Sequence, residues 1–199
     1  MTLDAIVRVF EALDASFDTT PRWRGADLDR LLDERHAGLV ERVASHVRHV
    51  GWDPLAELTY SEFGERGSID LLALRAGSRR VAVFEMKTDL PRIEETLRRH
   101  DVKARLASKL VKARFGWWPL EVGRILVLPE EDRLRRVVLR HETTFRSAYP
   151  GTSREARAWL REPDGPLAAI WFLSDTRGAR GTGKSARPRR IRPRCPRPI

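Results

Sequence analysis

Ser68-Ile-Asp-Leu-Leu-Ala-Leu-Arg-Ala-Gly-Ser-Arg-Arg-Val-Ala-Val-Phe-Glu-Met-Lys-Thr88 places two apolar runs on either side of Gly77-Ser78. Glycine followed by serine is a two-residue hairpin signal, because glycine takes the positive φ that a type II′ turn needs at its first central position. With those two residues as the loop, Ala76 faces Arg79, partner numbers sum to 155, and Asp70 stands opposite Glu85. Directly opposed side chains have Cβ atoms about 4.5–5.5 Å apart, and like charges so placed repel. Glu85 and Lys87 are two residues apart and share a strand face. The expected hairpin thus gathers two carboxylates and one ammonium at its open end. The rest of that face is Leu72, Leu74, Val81 and Val83, and the opposite face is Ile69, Leu71, Ala73, Ala82, Phe84 and Met86. A divalent cation with oxygen ligands would give such a cluster its purpose.

Working outward, the chain has 199 residues and is 41% hydrophobic, enough for one globular domain with a core plus an appendage. No apolar run approaches the roughly 18 residues of a membrane span. The first residues lack the basic start and long apolar stretch of a signal peptide, so the expected compartment is the cytoplasm. A single cysteine, Cys195, excludes an internal disulfide and a thiolate zinc cage. The net charge of +10 invites a nucleic-acid reading, but residues 176–199 hold nine Lys or Arg and no acid. That leaves 29 basic against 28 acidic residues in 1–175, a balance of +1. Any case for DNA must therefore rest on local clustering.

Three segments are expected: an N-terminal helix and strand extension over 1–35, a domain over 36–175, and a disordered Arg/Pro-rich basic tail over 176–199. The extension reads as a helix over 2–13 and a weak edge strand over 15–22. One or two helices fill 26–50, with Leu28, Leu31, Leu32, Leu39, Val43 and Val47 as the buried stripe and Gly38 as a break. A strand over 54–60 carries Glu57. After the hairpin come a long helix over 93–115, a strand over 122–128, a helix over 131–147, a helix from Ser153 as N-cap to Leu160, and a strand over 167–173. The order implies a mixed sheet covered on both faces. Gly178 to Ser185 matches the phosphate-loop pattern, but Pro188 follows where a helix must open, so no nucleotide cofactor is expected. His46 and His49, three apart on a helix, lack a third ligand and read as ordinary helix histidines.

Asp70 within Gly67-Ser-Ile-Asp-Leu-Leu, Glu85-Met86-Lys87 on the next strand, and a preceding helix carrying Glu41 resemble the PD-(D/E)xK nuclease superfamily over about residues 36–128. The Gly-Ser-Ile-Asp-Leu form is similar to the Holliday-junction-resolvase and Mrr-like branches. One departure is Ile69, where many members have proline. The region is also similar to the C-terminal domain of bacterial helix-turn-helix proteins. The resemblance implies an α/β fold of the restriction-endonuclease-like kind, a mixed central sheet flanked by helices with core order α-β-β-β-α-β. It also implies a Mg²⁺-dependent DNA nuclease, a hydrolase of phosphodiester bonds, with Mn²⁺ as substitute. In it Asp70 and Glu85 would hold the metal, Glu41 or Glu57 would complete the acidic shell, and Lys87 would orient the attacking water and stabilise charge on the phosphate. A homodimer is the assembly that cutting two strands calls for.

Residues 97–115 of the long helix carry seven Lys or Arg against Asp101 alone. Arg98, Lys103, Arg105, Lys109 and Lys112 are the candidate contacts to a DNA backbone. Two readings compete with the nuclease. One is a non-catalytic DNA-binding or transcriptional regulatory protein that keeps the fold. The other is a subunit of a defence or repair complex. For the charged cluster itself the competing reading is a plain strand-end ion pair, with Lys87 neutralising Glu85 and Asp70 solvated.

Overall fold

The structure, a computed structural model, describes residues 26–62 and 65–174, with side chains from residue 33 onward except that of Glu62. The expected helix over 2–13, the strand over 15–22, the phosphate-loop match and the basic tail lie outside the described residues, as do the side chains of Leu28, Leu31 and Leu32. The chain divides into two units, Met1–Gly38 and Leu39–Ile199; the sheet and the site belong to the second.

The elements are α1 (Ala26–His49), β1 (Asp53–Glu62), β2 (Glu65–Arg75), β3 (Arg80–Met86), α2 (Ile93–Phe115), β4 (Glu121–Pro129), α3 (Asp132–Arg140), α4 (Glu142–Ala148), α5 (Ser153–Arg161) and β5 (Ala168–Leu173). Among the described residues the strands form one mixed sheet in sequence order. β1, β2 and β3 are antiparallel, and β3, β4 and β5 are parallel. Helix α1 runs through Gly38 without a break, correcting that expectation. The helix read over 131–147 is two, parted at His141. The cap of α5 is Thr152 rather than Ser153. Its hydroxyl accepts from the Glu155 amide and the Glu155 carboxylate accepts from the Thr152 amide, a reciprocal capping box.

Both faces are covered. Leu39, Val43, Ala44 and Val47 of α1 and Ala156, Trp159 and Leu160 of α5 pack with Leu71, Ala73, Phe84, Met86, Ile125 and Trp171. On the other face Leu106, Ala107, Leu110 and Val111 of α2 pack with Leu72, Leu74, Val81 and Val83, the face expected to bear the charged residues. Farther along, α3 and α4 cover Leu126, Leu128 and Ile170. His46 stacks edge-on against Trp171 at 4.9 Å, in a packing role. Among the described residues no helix is long and apolar enough to cross a membrane.

The hairpin has the expected register but not the expected turn. Pairs from Leu71↔Phe84 to Arg75↔Arg80 all sum to 155. The turn is a short 3₁₀ segment over Ala76–Ser78, and Arg79, at φ 53°, takes the left-handed conformation assigned to glycine. Ile69 is a second correction. It packs with Leu72 on the α2 side, not with Leu71 and Ala73. Leu55 and Leu58 of β1 likewise share that cluster, although strict alternation would separate them. Both strands lose alternation at one level, where Glu57 lies between the pairs Ala56↔Leu71 and Leu58↔Ile69. Glu57 has φ 52°, a left-handed backbone that costs a residue with a Cβ about 1–2 kcal/mol. Glu57→Val, β-branched and poorly suited to that region, should lower the unfolding free energy by about 1–2 kcal/mol, whereas Glu57→Gly should leave it unchanged or raise it. Urea titration of the two variants against wild type checks this; equal losses in both would show that the left-handed backbone is not what matters there.

Candidate active site

Strands β2 and β3 pair only as far as Leu71↔Phe84, yet both continue, β2 along β1 and β3 along β4. They fork at the level of Asp70 and Glu85. Beyond a fork, backbone donors on the inner edges lose their ladder partners and need others. The Met86 amide finds one in the Asp70 carboxylate, which accepts at Oδ2 from 2.8 Å. The next amide, Lys87, turns to β4 and donates to the Val127 carbonyl at 3.0 Å. Asp70 therefore replaces a rung of the ladder. That fixes its carboxylate at the crotch of the fork and leaves Oδ1 for another partner.

That partner is Lys103 of α2. Its Nζ donates to Asp70 Oδ1 at 2.9 Å and to Glu85 Oε2 at 2.5 Å. Lys87 Nζ lies 2.7 Å from the other Glu85 oxygen, Oε1. Every carboxylate oxygen of the pair thus has a donor, and both acids are within hydrogen-bond reach of one nitrogen. Glu85 is 1% exposed and Lys103 7% exposed; Lys87 is partly buried. Burial, the largest single influence on Lys103, disfavours its charge, but Asp70 and Glu85 outweigh it and hold the ammonium above the usual lysine value. The sign is that of a raised base: the pair's stabilisation is complete below the unfolded lysine value of about 10.4 and is lost only as pH climbs through the higher folded value. At neutral pH the ammonium stays charged.

Helix α2 is held against β3 by a buried histidine one turn before Lys103. His100 Nε2 lies 3.1 Å from the Val83 carbonyl and Nδ1 lies 2.7 Å from the Tyr149 hydroxyl. A carbonyl only accepts, so Nε2 carries the proton and Tyr149 donates to Nδ1. Burial lowers the His100 pKa to about 3 and pushes the Tyr149 phenol up. Arg124 braces this arrangement, donating to Asp101 at 2.7 Å and to the Ala148 carbonyl at 2.7 Å, with its guanidinium 5.1 Å from the centre of the Tyr149 ring.

The carboxylates open onto a cleft of about 460 Å³ lined by Tyr60, Glu65, Arg66, Gly67, Ser68, Arg98, Arg99 and Val102 together with Asp70, Glu85, Lys87 and Lys103. Tyr60 lies across Gly67, its register partner; a Cβ there would meet the Tyr60 hydroxyl at 2.6 Å. The cleft wall is thus basic, with Lys87, Arg66, Arg98 and Arg99 around a buried acidic pair.

The expected site residues divide accordingly. Asp70, Glu85 and Lys87 come together. Glu41 and Glu57 are both exposed, and among the described residues no group of three or more His, Cys, Asp or Glu is assembled. Arg98, Arg105, Lys109 and Lys112 are exposed on α2, Arg98 at the cleft and Arg105 within 3.5 Å of Glu65. Lys103 departs from its expected place: it lies under that stripe, against the two acids, because it shares the inward face with Thr96, His100, Leu106, Ala107 and Leu110. That spacing was present in the sequence, as a charged residue on an apolar stripe. His100 and Tyr149, also missed, left no comparable pattern.

The donor set suits a hard divalent cation, since two carboxylates with lone pairs to spare converge on one point. In the described structure that point is taken by the Lys103 ammonium. Compared with family models, curated proteins and solved structures, the chain matches none.

Proposed function

We propose that the protein is a Mg²⁺-dependent DNA nuclease, with a sheet of the restriction-endonuclease-like kind. The observation that carries this is the convergence of Asp70 and Glu85 at the fork of β2 and β3, with Lys87 beside them at the mouth of a basic cleft. A bound divalent ion would polarise a phosphoryl oxygen and lower the pKa of its water. Asp70 and Glu85 would hold it. Lys87 lines the cleft and pairs with Glu85, and its ammonium would hydrogen-bond a phosphate oxygen and stabilise the charge that develops there. Arg98 and Arg99 on the cleft wall supply backbone-phosphate contacts that position a strand without reading its sequence.

The test is cleavage of linear, nicked and branched DNA with Mg²⁺ or Mn²⁺. Wild type should cut at least one of these, and Asp70→Asn and Lys87→Ala should each lose activity by on the order of a hundredfold or more. A wild type inert on every substrate sinks the proposal. One observation favours the second reading, a DNA-binding or regulatory protein that keeps the fold: the ammonium groups of Lys103 and Lys87 already neutralise the acidic pair. DNA binding that persists with no cleavage under any metal would establish that reading instead.

A further inference from the structure

On the nuclease reading, on which the role of Lys103 rests, this lysine stands where the metal would bind. Its Nζ is bonded to one oxygen of each acid, Asp70 Oδ1 and Glu85 Oε2, and so bridges the fork. Those are the oxygens through which both acids already share one cation. An ammonium at 2.9 and 2.5 Å from them and a divalent ion bound to them are like charges contesting one place. Lys87 makes no such conflict, since it engages only Oε1 on the outer side of Glu85. Nor is Lys103 a surface lysine that has strayed inward. It sits on the buried stripe of α2, three residues after His100, whose bond to the Val83 carbonyl ties that turn to the strand carrying Glu85.

We propose that Lys103 is a built-in counter-ion: it holds Asp70 and Glu85 together when no metal is bound, and a divalent ion enters only by displacing its ammonium into the adjoining cleft. The four-carbon stem allows this without moving the helix, because the cleft is lined by Lys103 itself with Ser68, Arg98 and Val102 around it. Two consequences separate this from a purely structural lysine. Metal binding is weaker than the two acids alone would give, because part of the binding free energy displaces the ammonium. The amine is also shielded without metal and exposed with it.

Calorimetric titration of Mn²⁺ and Mg²⁺ into the full chain tests the first, comparing wild type with Lys103→Met, which keeps the stem and removes the charge, and with Asp70→Asn/Lys103→Met. Lys103→Met should bind Mn²⁺ roughly tenfold or more tightly than wild type, and the double variant should lose that gain. Acylation of lysines in wild type, read by mass spectrometry with and without Mg²⁺, tests the second and does not depend on a variant folding. Labelling of Lys103 should rise several-fold with the metal. Equal Mn²⁺ affinities, or labelling that ignores Mg²⁺, overturn the counter-ion role. If either occurs while wild type still cuts DNA, the nuclease reading survives alone. If no variant binds metal and nothing is cut, both fall.

Discussion

Between pH 6.5 and 4.5 the protein will lose about 2–3 kcal/mol of stability, and most of that loss will vanish in His100→Gln. His100 is fully buried with its proton on Nε2 and a pKa lowered to about 3, chiefly by desolvation. Above the unfolded value of about 6.5 neither state takes a second proton. Below it the unfolded chain takes one and the folded chain does not, so each further pH unit favours unfolding by about 1.4 kcal/mol until the folded value is reached. His46, also lowered by burial, adds a smaller share in the same window. Urea midpoints measured across this range give the slope directly. Glutamine at position 100 carries a donor and an acceptor but does not titrate, so its slope should be shallow, with His46 and the carboxylates of Glu95, Glu130 and Glu155, all held low, contributing to what remains. An unchanged slope in His100→Gln would mean that the buried imidazole takes its proton without cost.

The second large effect is at the fork. Glu85→Leu and Lys103→Met will each destabilise the metal-free protein by about 3–5 kcal/mol, and the two together will cost far less than their sum. Removing Glu85 leaves Lys103 shared with Asp70 alone in a buried place; removing Lys103 leaves two acids facing each other with Lys87 on one side only. Replacing both puts apolar side chains where the pair stood. Lys87, partly exposed, then turns to water at little cost. A double-mutant cycle in urea reads the coupling. Simple additivity would show that the short contacts to Lys103 carry no net interaction.

How much of this was legible in the sequence depended on what kind of error the reading could absorb. The hairpin register survived a wrong turn because the mistake was symmetric: a loop over 77–78 and one over 76–79 give the same partner sum, so Asp70 and Glu85 meet either way. Ile69 was not protected in this way, since the loss of alternation comes from the left-handed Glu57 on a neighbouring strand, a backbone choice that no residue type announces. The length of α2 was plain from Ile93 to Phe115. The place of Lys103 was not, because counting charge along a helix ignores which of its faces is buried. The apolar stripe of Leu106, Ala107 and Leu110, carried back one turn, passes through it. His100 and Tyr149 meet only through tertiary packing across 49 residues.

The fork has a mechanical meaning as well. Asp70 rides on the antiparallel ribbon of β1 and β2, while Glu85 and Lys87 ride on the parallel half formed with β4 and β5. Their separation is therefore a property of two sub-sheets whose ladder pairs run only from Leu71↔Phe84 to Arg75↔Arg80, with the Met86 amide and the Asp70 carboxylate joined just beyond. Both cores span the two halves, Leu71 with Phe84 and Ile125 on one face and Leu72 with Val83 on the other, so packing on either side of the sheet sets the gap between the carboxylates along with the cation. Whatever cation lies between them, ammonium or metal, rivets the two halves, and its exchange would be felt along the whole length of the ribbon.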